Sequence, residues 1–447
     1  MPGLLDGEAL EQAVDRIVAE HISLEGPGLS ILIGRGDRVL LKKGYGLADV
    51  GNRVPIRPDT RFIIASVTKQ FTCMCIMMMK HQGLLSYDEP IARFFPDFPP
   101  YKDRVTVRHL MHQTSGLPEY LGEEYFRETI DGKVYDLQAI LDLIKAKGEL
   151  EFQPGERWRY CNSNYVLLGA IVERFSGMSL ADFARVKIFE PLGMTRTLVG
   201  VEEARPEGEA IGYEYKSKTE FTEAPYNFSL SIGYGDGNII STVEDLFKWG
   251  QALYTDRLLP LEVLAESFVP CRPLDPAFSR YGFGQFISER RGVREIHHGG
   301  AIQGYVTNFS RFTDEKLTVV IMANAAGFKL AEVSGAVADL LLADKMAPII
   351  PIELPTEVLR ERVGTYGGSP RGLPVRIDIE YSADKGRLVA VNRFGAEERV
   401  ELIALGRDLF RQDDHTDTYL QFLRGDGSDG SGLRVLSGGM VMTLGRQ

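Results

Sequence analysis

"FIIASVTKQF" (residues 62–71) is an apolar run that turns into a helix-like one, with Ser66 and Lys69 three positions apart at the junction. Residues i and i+3 share a helical face, so the Lys69 amine can approach the Ser66 hydroxyl. A helix N-terminus adds positive potential and free backbone N–H groups, and the Ser66 N–H is one that suits an oxyanion. A lysine held in such a place is pushed towards its neutral form, which makes it a usable base. The same spacing also fits an ordinary polar helix start, because serine is a favoured N-cap. The neighbouring segments have to decide between the two.

Downstream, "FTCMCIMMMKHQGLL" (71–85) has helical period, and Gly83 is a candidate C-cap. Its Met-rich stripe, Met74 to Met79, reads as a buried helix rather than a membrane or cofactor element. Upstream, "LSILIGRGDRVLLKKGYGLAD" (29–49) predicts two strands joined by a Gly-Asp turn. Leu10, Ala13, Val14, Ile17 and Val18 mark an amphipathic helix before them. A further strand region, "IHHGGAIQGYVTNFSRFTDEKLTVVIMANA" (296–325), follows a mostly helical middle. Strands at both ends with helices between predict an α/β sandwich whose sheet pairs N- and C-terminal strands. "MAPIIPIELP" (346–355) reads as a linker, and the short strands after it predict a small meander or barrel over 356–447. The domain expectation is therefore 1–345, a linker at 346–355, and a β domain at 356–447.

Composition narrows the function. The chain has 447 residues and a net charge of −11, which argues against a nucleic-acid partner. No run of eighteen apolar residues occurs, so no membrane span is expected. The N-terminal residues include early acidic side chains and no basic leader region, which makes a cytoplasmic address the expectation. Cys73, Cys75, Cys161 and Cys271 fit no zinc spacing and read as reduced and mostly buried. "DDHTD" (413–417) offers a single imidazole and reads as a polar turn rather than a metal site. There is no Gly-x-Ser-x-Gly elbow, no His-Glu-x-x-His helix and no Walker loop.

Two further stretches settle the reading of Ser66. "YCN", Tyr160 to Asn162, is a Tyr-x-Asn element, and "HHGGAIQGY" (297–305) supplies a His-x-Gly. With Ser-x-x-Lys, these resemble the serine β-lactamase and penicillin-recognising hydrolase superfamily, in the branch of class C β-lactamases, D-aminopeptidases, DD-carboxypeptidases and related esterases. "VTVRHLMHQTSGLPEY", "FQPGERWRYCNSNYVLLGAIVERFSG", "IFEPLGMTRT", "STVEDLFKWGQAL" and "YGFGQF" resemble family landmarks in family order. The resemblance covers roughly residues 10–345. It implies an antiparallel sheet flanked by helices, with a helical subdomain. Ser66 then matches the acylated serine, and Lys69 and Tyr160 share its proton as a coupled pair, either of which can serve as base. Asn162 matches a substrate amide contact, with capping of a helix starting near Asn164 as the lesser alternative. Both His297 and His298 satisfy His-x-Gly. Only the frame from His298 puts Gly304 and Tyr305 where the family has a glycine and an aromatic, so His298, Gly300 and Ala301 take the substrate-strand roles. The Ala301 N–H is the second oxyanion donor, opposite that of Ser66.

The chain departs from β-lactamases at His298, where class C enzymes carry lysine, and at Cys161 within Tyr-x-Asn. A mostly neutral histidine is a weaker anchor for a substrate carboxylate. The resemblance thus implies a serine hydrolase without metal or organic cofactor, acting on a small amide, peptide or ester, D-configured residues included. A β-lactamase or DD-carboxypeptidase is the alternative enzyme, and a catalytically silent binding protein the alternative from another class. "LRERVGTYGG" (359–368) resembles the start of a lipocalin-like C-terminal β domain. That domain is expected either to stabilise or oligomerise the protein, or to reach the cleft through "RGDGSDGSG" (424–432), with Asp426 or Asp429 meeting a substrate amine.

Overall fold

Strand β1 (Leu29–Arg35) is buried on both faces, and its alternation sorts its side chains into two cores. Leu29, Ile31 and Ile33 belong to one apolar cluster and Leu32 to the other, as period two dictates. β1 lies inside a six-stranded antiparallel sheet with β2 (Arg38–Tyr45), β3 (Phe286–Arg290), β4 (Val293–Ile302), β5 (Tyr305–Phe312) and β6 (Leu317–Ala323), in the order β3-β4-β5-β6-β1-β2. The expected pairing of N- and C-terminal strands is the β1–β6 contact, Leu29 opposite Ala323 through Arg35 opposite Leu317. This computed structural model describes residues 7–200, 207–225, 234–271, 280–369, 374–392, 398–423, 432–438 and 440–447.

One face of the sheet is covered by helices α1 (Gly7–His21) and α5 (Leu330–Leu342). Leu10, Val14 and Val18 form the buried stripe of α1, at the spacing the sequence predicts. The other face meets α2 (Thr68–His81), α3 (Asn162–Ser176) and α4 (Val243–Ala252). α2 is buried nearly along its whole length, Met74 to Met79 included. The four cysteines are buried and form no disulfide.

Residues 347–355 carry no helix or strand. Beyond a short helix, Thr356–Arg360, eight strands close into an antiparallel barrel: β7 (Gly364–Gly368), β8 (Val375–Ser382), β9 (Arg387–Asn392), β10 (Glu398–Ala404), β11 (Leu409–Gln412), β12 (Tyr419–Leu423), β13 (Gly432–Ser437) and β14 (Met440–Arg446). Closure is the β7–β14 pairing, Tyr366 opposite Arg446. An eight-stranded barrel has an interior just wide enough for side chains, and Tyr366, Leu388, Phe410, Leu420, Phe422, Leu433 and Leu444 fill this one.

"DDHTD" is a docking turn. Arg290 donates to the His415 carbonyl (3.0 Å) and to Asp339 on α5 (2.9 Å), and His415 Nδ1 lies 2.9 Å from the same carboxylate. Asp426 and Asp429 lie outside the described residues. Leu423 and Gly432, which flank that loop, form the far end of the β12–β13 ladder from Tyr419 and Leu436.

Candidate active site

Ser66 sits in a single 3-10 turn, Ala65–Val67, that runs directly into α2. Ala65, just before it, has φ +46, a left-handed conformation that costs a non-glycine residue energy and is held only by surrounding packing. Ser66 is partly exposed, whereas Lys69 has no exposed surface. The Lys69 Nζ lies 3.0 Å from Ser66 Oγ, 2.8 Å from Asn162 Oδ1 and 2.7 Å from the Asp236 carbonyl. It also lies 5.0 Å from the centroid of the Tyr160 ring and 5.5 Å from that of Tyr165. An ammonium donates to all three oxygens. A neutral amine donates to two of them and accepts the Ser66 O–H with its lone pair. The same geometry therefore accommodates the Lys69 amine with and without an added proton.

Tyr160 and Asn162 are held by the loop 113–121. Gln113 accepts from the Cys161 N–H (2.9 Å), Ser163 donates to the Pro118 carbonyl (2.7 Å), and Tyr120 N–H donates to Ser163 Oγ (3.0 Å). The Cys161 thiol points into this packing, donates to the Leu117 carbonyl (3.3 Å), and is pushed by burial up to about 12, so it is inert. α3 begins at Asn162, with Cys161 as its N-cap and no side-chain cap of its own. Asn162 is therefore not the cap of a helix starting at Asn164. Its side chain spans Lys69 and Glu119, and Glu119 Oε2 accepts from both the Asn162 N–H (2.8 Å) and its Nδ2 (3.1 Å). A carboxylate satisfying a first-turn N–H stabilises a helix N-terminus.

Glu119 and Asp236 are neighbours of Asn162 and Lys69 that the sequence did not single out. Burial raises the pKa of both carboxyls, against hydrogen bonds from Asn162 and Leu121 at Glu119 and against the Lys69 charge at Asp236. Glu119 keeps some exposure, while Asp236 is buried. Asp236 Oδ2 accepts from Tyr120 Oη at 2.8 Å, and its Oδ1 has no partner among the described residues.

The third motif lies on β4. The β4–β5 hairpin has a two-residue loop, Gln303-Gly304, closed by the Ile302–Tyr305 pair, with Gly304 at φ +79. Closing pairs are hydrogen-bonded and bonded pairs then alternate. Ile302, Gly300 and His298 thus bond to β5, and Ala301 and Gly299 turn their N–H and C=O groups away from it. On that side β3 covers β4 only as far as the Phe286–His297 pair, and beyond it this edge has no strand partner among the described residues. Gly300 must be glycine, because a Cβ there would lie 2.1 Å from the Ile64 carbonyl oxygen, two residues before Ser66. This close approach brings the Ala301 edge beside Ser66.

His298 faces the helical side and is buried, its ring 6.0 Å from that of Tyr160. Its Nδ1 is 2.5 Å from the Gly299 carbonyl, which can only accept, so Nδ1 carries a proton. Its Nε2 is 3.1 Å from Tyr281 Oη, whose own pKa burial raises well above the usual value. Both ring nitrogens therefore have partners inside the chain. His297 faces the opposite side of the sheet, as a strand neighbour should.

A profile of the β-lactamase family matches residues 10–343. The chain belongs to the β-lactamase family. Among its relatives, a penicillin-binding protein of Bacillus subtilis (strain 168) is 35% identical over 308 residues, 66% of this chain and 67% of that one. A D-aminopeptidase of Gluconobacter oxydans (strain 621H) is 30% identical over 389 residues, 86% of this chain and 70% of that one. In three dimensions the octameric penicillin-binding protein homologue from Pyrococcus abyssi matches 98% of this chain and 100% of its own, with TM-score 0.69 and 25% identity. This β-lactamase-family chain is a serine hydrolase with the expected mixed α/β fold and a closed C-terminal barrel. The structure brings Ser66, Lys69, Tyr160, Asn162 and His298 together, with Gly300 and Ala301 on the adjoining strand. No helix among the described residues is long and apolar enough to cross a membrane.

Proposed function

We propose that the protein hydrolyses small amides and short peptides with a free α-amine, D-configured residues included, through a Ser66 acyl-enzyme. The observation that carries this reading is the Lys69 amine held 3.0 Å from Ser66 Oγ by two further acceptors. Ser66 Oγ attacks the substrate carbonyl carbon, and its proton passes to Lys69, directly or through Tyr160. The resulting oxyanion sits between the N–H groups of Ser66 and Ala301, each of which is worth about 10²–10³ in rate. Collapse expels the amine, which takes the proton, and a water then cleaves the acyl ester by the same route.

The free α-amine follows from the sign of the charges. Glu119 is a partly exposed carboxylate one hydrogen bond from Asn162, and it attracts an ammonium and repels a carboxylate. His298 is buried with both nitrogens engaged, which ill suits it to anchor the carboxylate of a β-lactam or a DD-peptide. The D-aminopeptidase relative supports the same substrate class. Four buried cysteines without a disulfide support a reducing, cytoplasmic address, and the octameric relative supports a homo-oligomer. We read 1–345 as the catalytic domain, 346–355 as the linker and 356–447 as the barrel domain.

The test is a panel of D- and L-aminoacyl p-nitroanilides, p-nitrophenyl esters and nitrocefin, with Ser66→Ala as control. Hydrolysis of the aminoacyl anilides, lost in Ser66→Ala, and fluorophosphonate mass added at Ser66 are the expected results. Full activity of Ser66→Ala would overturn the mechanism. A preference for nitrocefin would replace the substrate class with a carboxylate-directed one.

A further inference from the structure

The barrel grips the β3–β4 hairpin at both of its ends. At the closed end, Arg290, opposite Val293, donates to the His415 carbonyl of the barrel and to Asp339 of α5. Gly335 of α5 makes room for that turn, since a Cβ there would lie 1.7 Å from the His415 carbonyl oxygen. At the open end, Gly438, in the β13–β14 turn, packs on the His297 imidazole: a Cβ at 438 would lie 3.1 Å from His297 Cε1. Gly438 also has φ +52. His297 in turn stacks on Phe286, with ring centroids 5.5 Å apart and planes 22° apart. The Phe286 ring lies 5.2 Å from His298 and 4.8 Å from Tyr281. His297 is the last residue at which β4 has a strand on each side, and the next four residues carry His298, the open Gly299 and Ala301 edge, and Gly300.

We infer that His297 is a positioning residue through which the barrel fixes the β4 edge beside Ser66, with Gly438 as its seat. A strand paired on one side is free to shift where its second neighbour ends. An oxyanion donor misplaced by about 1 Å can cost on the order of 10²-fold in rate. The barrel supplies the missing restraint at the residue where β3 stops. It acts as a brace on the active-site strand, through the turn at 438. The inference concerns the strand and holds for whichever acyl substrate is turned over.

The experiment uses the full-length chain. His297→Ala removes the ring, His297→Phe keeps a ring on Phe286, and Gly438→Asn adds a Cβ at the seat in a residue that tolerates positive φ. We expect His297→Ala and Gly438→Asn each to lower kcat on a p-nitrophenyl ester roughly 3- to 30-fold with KM little changed. The double variant should fall no lower than the worse single one, because the clash needs the ring. His297→Phe should stay within about threefold of wild type. In hydrogen exchange, the peptide spanning 298–302 should open faster in His297→Ala than in wild type or His297→Phe. Wild-type kcat and exchange in His297→Ala would overturn the inference, as would losses that multiply in the double variant. Absence of any Ser66 labelling in the wild type would instead refute the hydrolase reading, and the exchange measurement would still judge the brace.

Discussion

Glu119→Gln keeps the side-chain shape and removes the charge that we assign to the substrate amine. An ionised carboxylate offers about four acceptor sites. In the folded chain Oε2 takes two of its donors, from Asn162 N and Nδ2, and Oε1 takes one, from Leu121 N–H at 3.2 Å. One acceptor site on Oε1 is left for a ligand. A single hydrogen bond to a charged group is worth about 1.5–3 kcal/mol, or roughly 10- to 150-fold in affinity. This interaction exists equally in ground and transition states, so its loss should raise KM with kcat nearly unchanged. The assay is kcat and KM for a D-aminoacyl p-nitroanilide and for its desamino analogue. The amine-bearing substrate should lose the 10- to 150-fold and the analogue almost nothing. The pH dependence follows from the same carboxyl. Burial raises its pKa, and it binds the amine only when ionised. KM for the amine-bearing substrate should therefore rise as pH falls through a range above that of an ordinary glutamate, while KM for the analogue stays flat. An equal change for both substrates, or none, would refute the assignment of Glu119.

Tyr160→Phe and Lys69→Ala should each lower turnover by about 10²–10⁴-fold, and the double variant should be little worse than either, since groups acting as a unit are non-additive. Multiplying losses would mean that the two side chains work independently. Asp236→Asn keeps the backbone carbonyl that holds Lys69 and tests a buried carboxyl whose pKa burial raises. Such a group binds its proton more tightly folded than unfolded, so wild type should gain stability relative to the variant as pH falls from 8 towards 4. A pH-independent difference in urea unfolding would contradict it. His298→Lys should shift preference towards carboxylate-bearing substrates such as nitrocefin, and unchanged preference would place His298 outside substrate selection.

What the sequence revealed divides along physical lines. Ser66 and Lys69 were legible because their relation is local, three residues along one helix. The β1–β6 pairing and the buried α2 were legible because period two and period 3.6 are written in the apolar positions. Asn162 was ambiguous because a helix boundary is uncertain by a residue or two. The start at Asn162 rather than Asn164 turned a cap into a bridge between Lys69 and Glu119. Glu119 and Asp236 had no spacing signature at all. Asp236 lies 167 residues from Lys69 in sequence, and its meaning comes only from burial and convergence. The contact of Gly438 with His297 was hidden for the same reason, since it exists only once the barrel closes and docks.

The replacement of a lysine by His298 and the presence of Glu119 belong to one electrostatic arrangement. Lys69 and His298 are both buried, so a lysine at 298 would add a second basic side chain to the buried part of the site. Like charges there would each depress the other's protonation. With a histidine whose Nδ1 donates to Gly299, the strand edge is shaped by a hydrogen bond rather than by a charge. Lys69 is then the buried amine beside Ser66, and Glu119 is the partly exposed carboxyl of the site. On the proposed function, a substrate gains by bringing a positive charge towards Glu119 and loses by bringing a negative one. Charge complementarity of this kind selects between partners of similar shape more than it adds to affinity. In the function we propose, the chemistry of Ser66 is thereby separated from the choice of substrate: Lys69 and Tyr160 serve the acyl transfer, and the Glu119 and His298 positions set the sign of what is admitted.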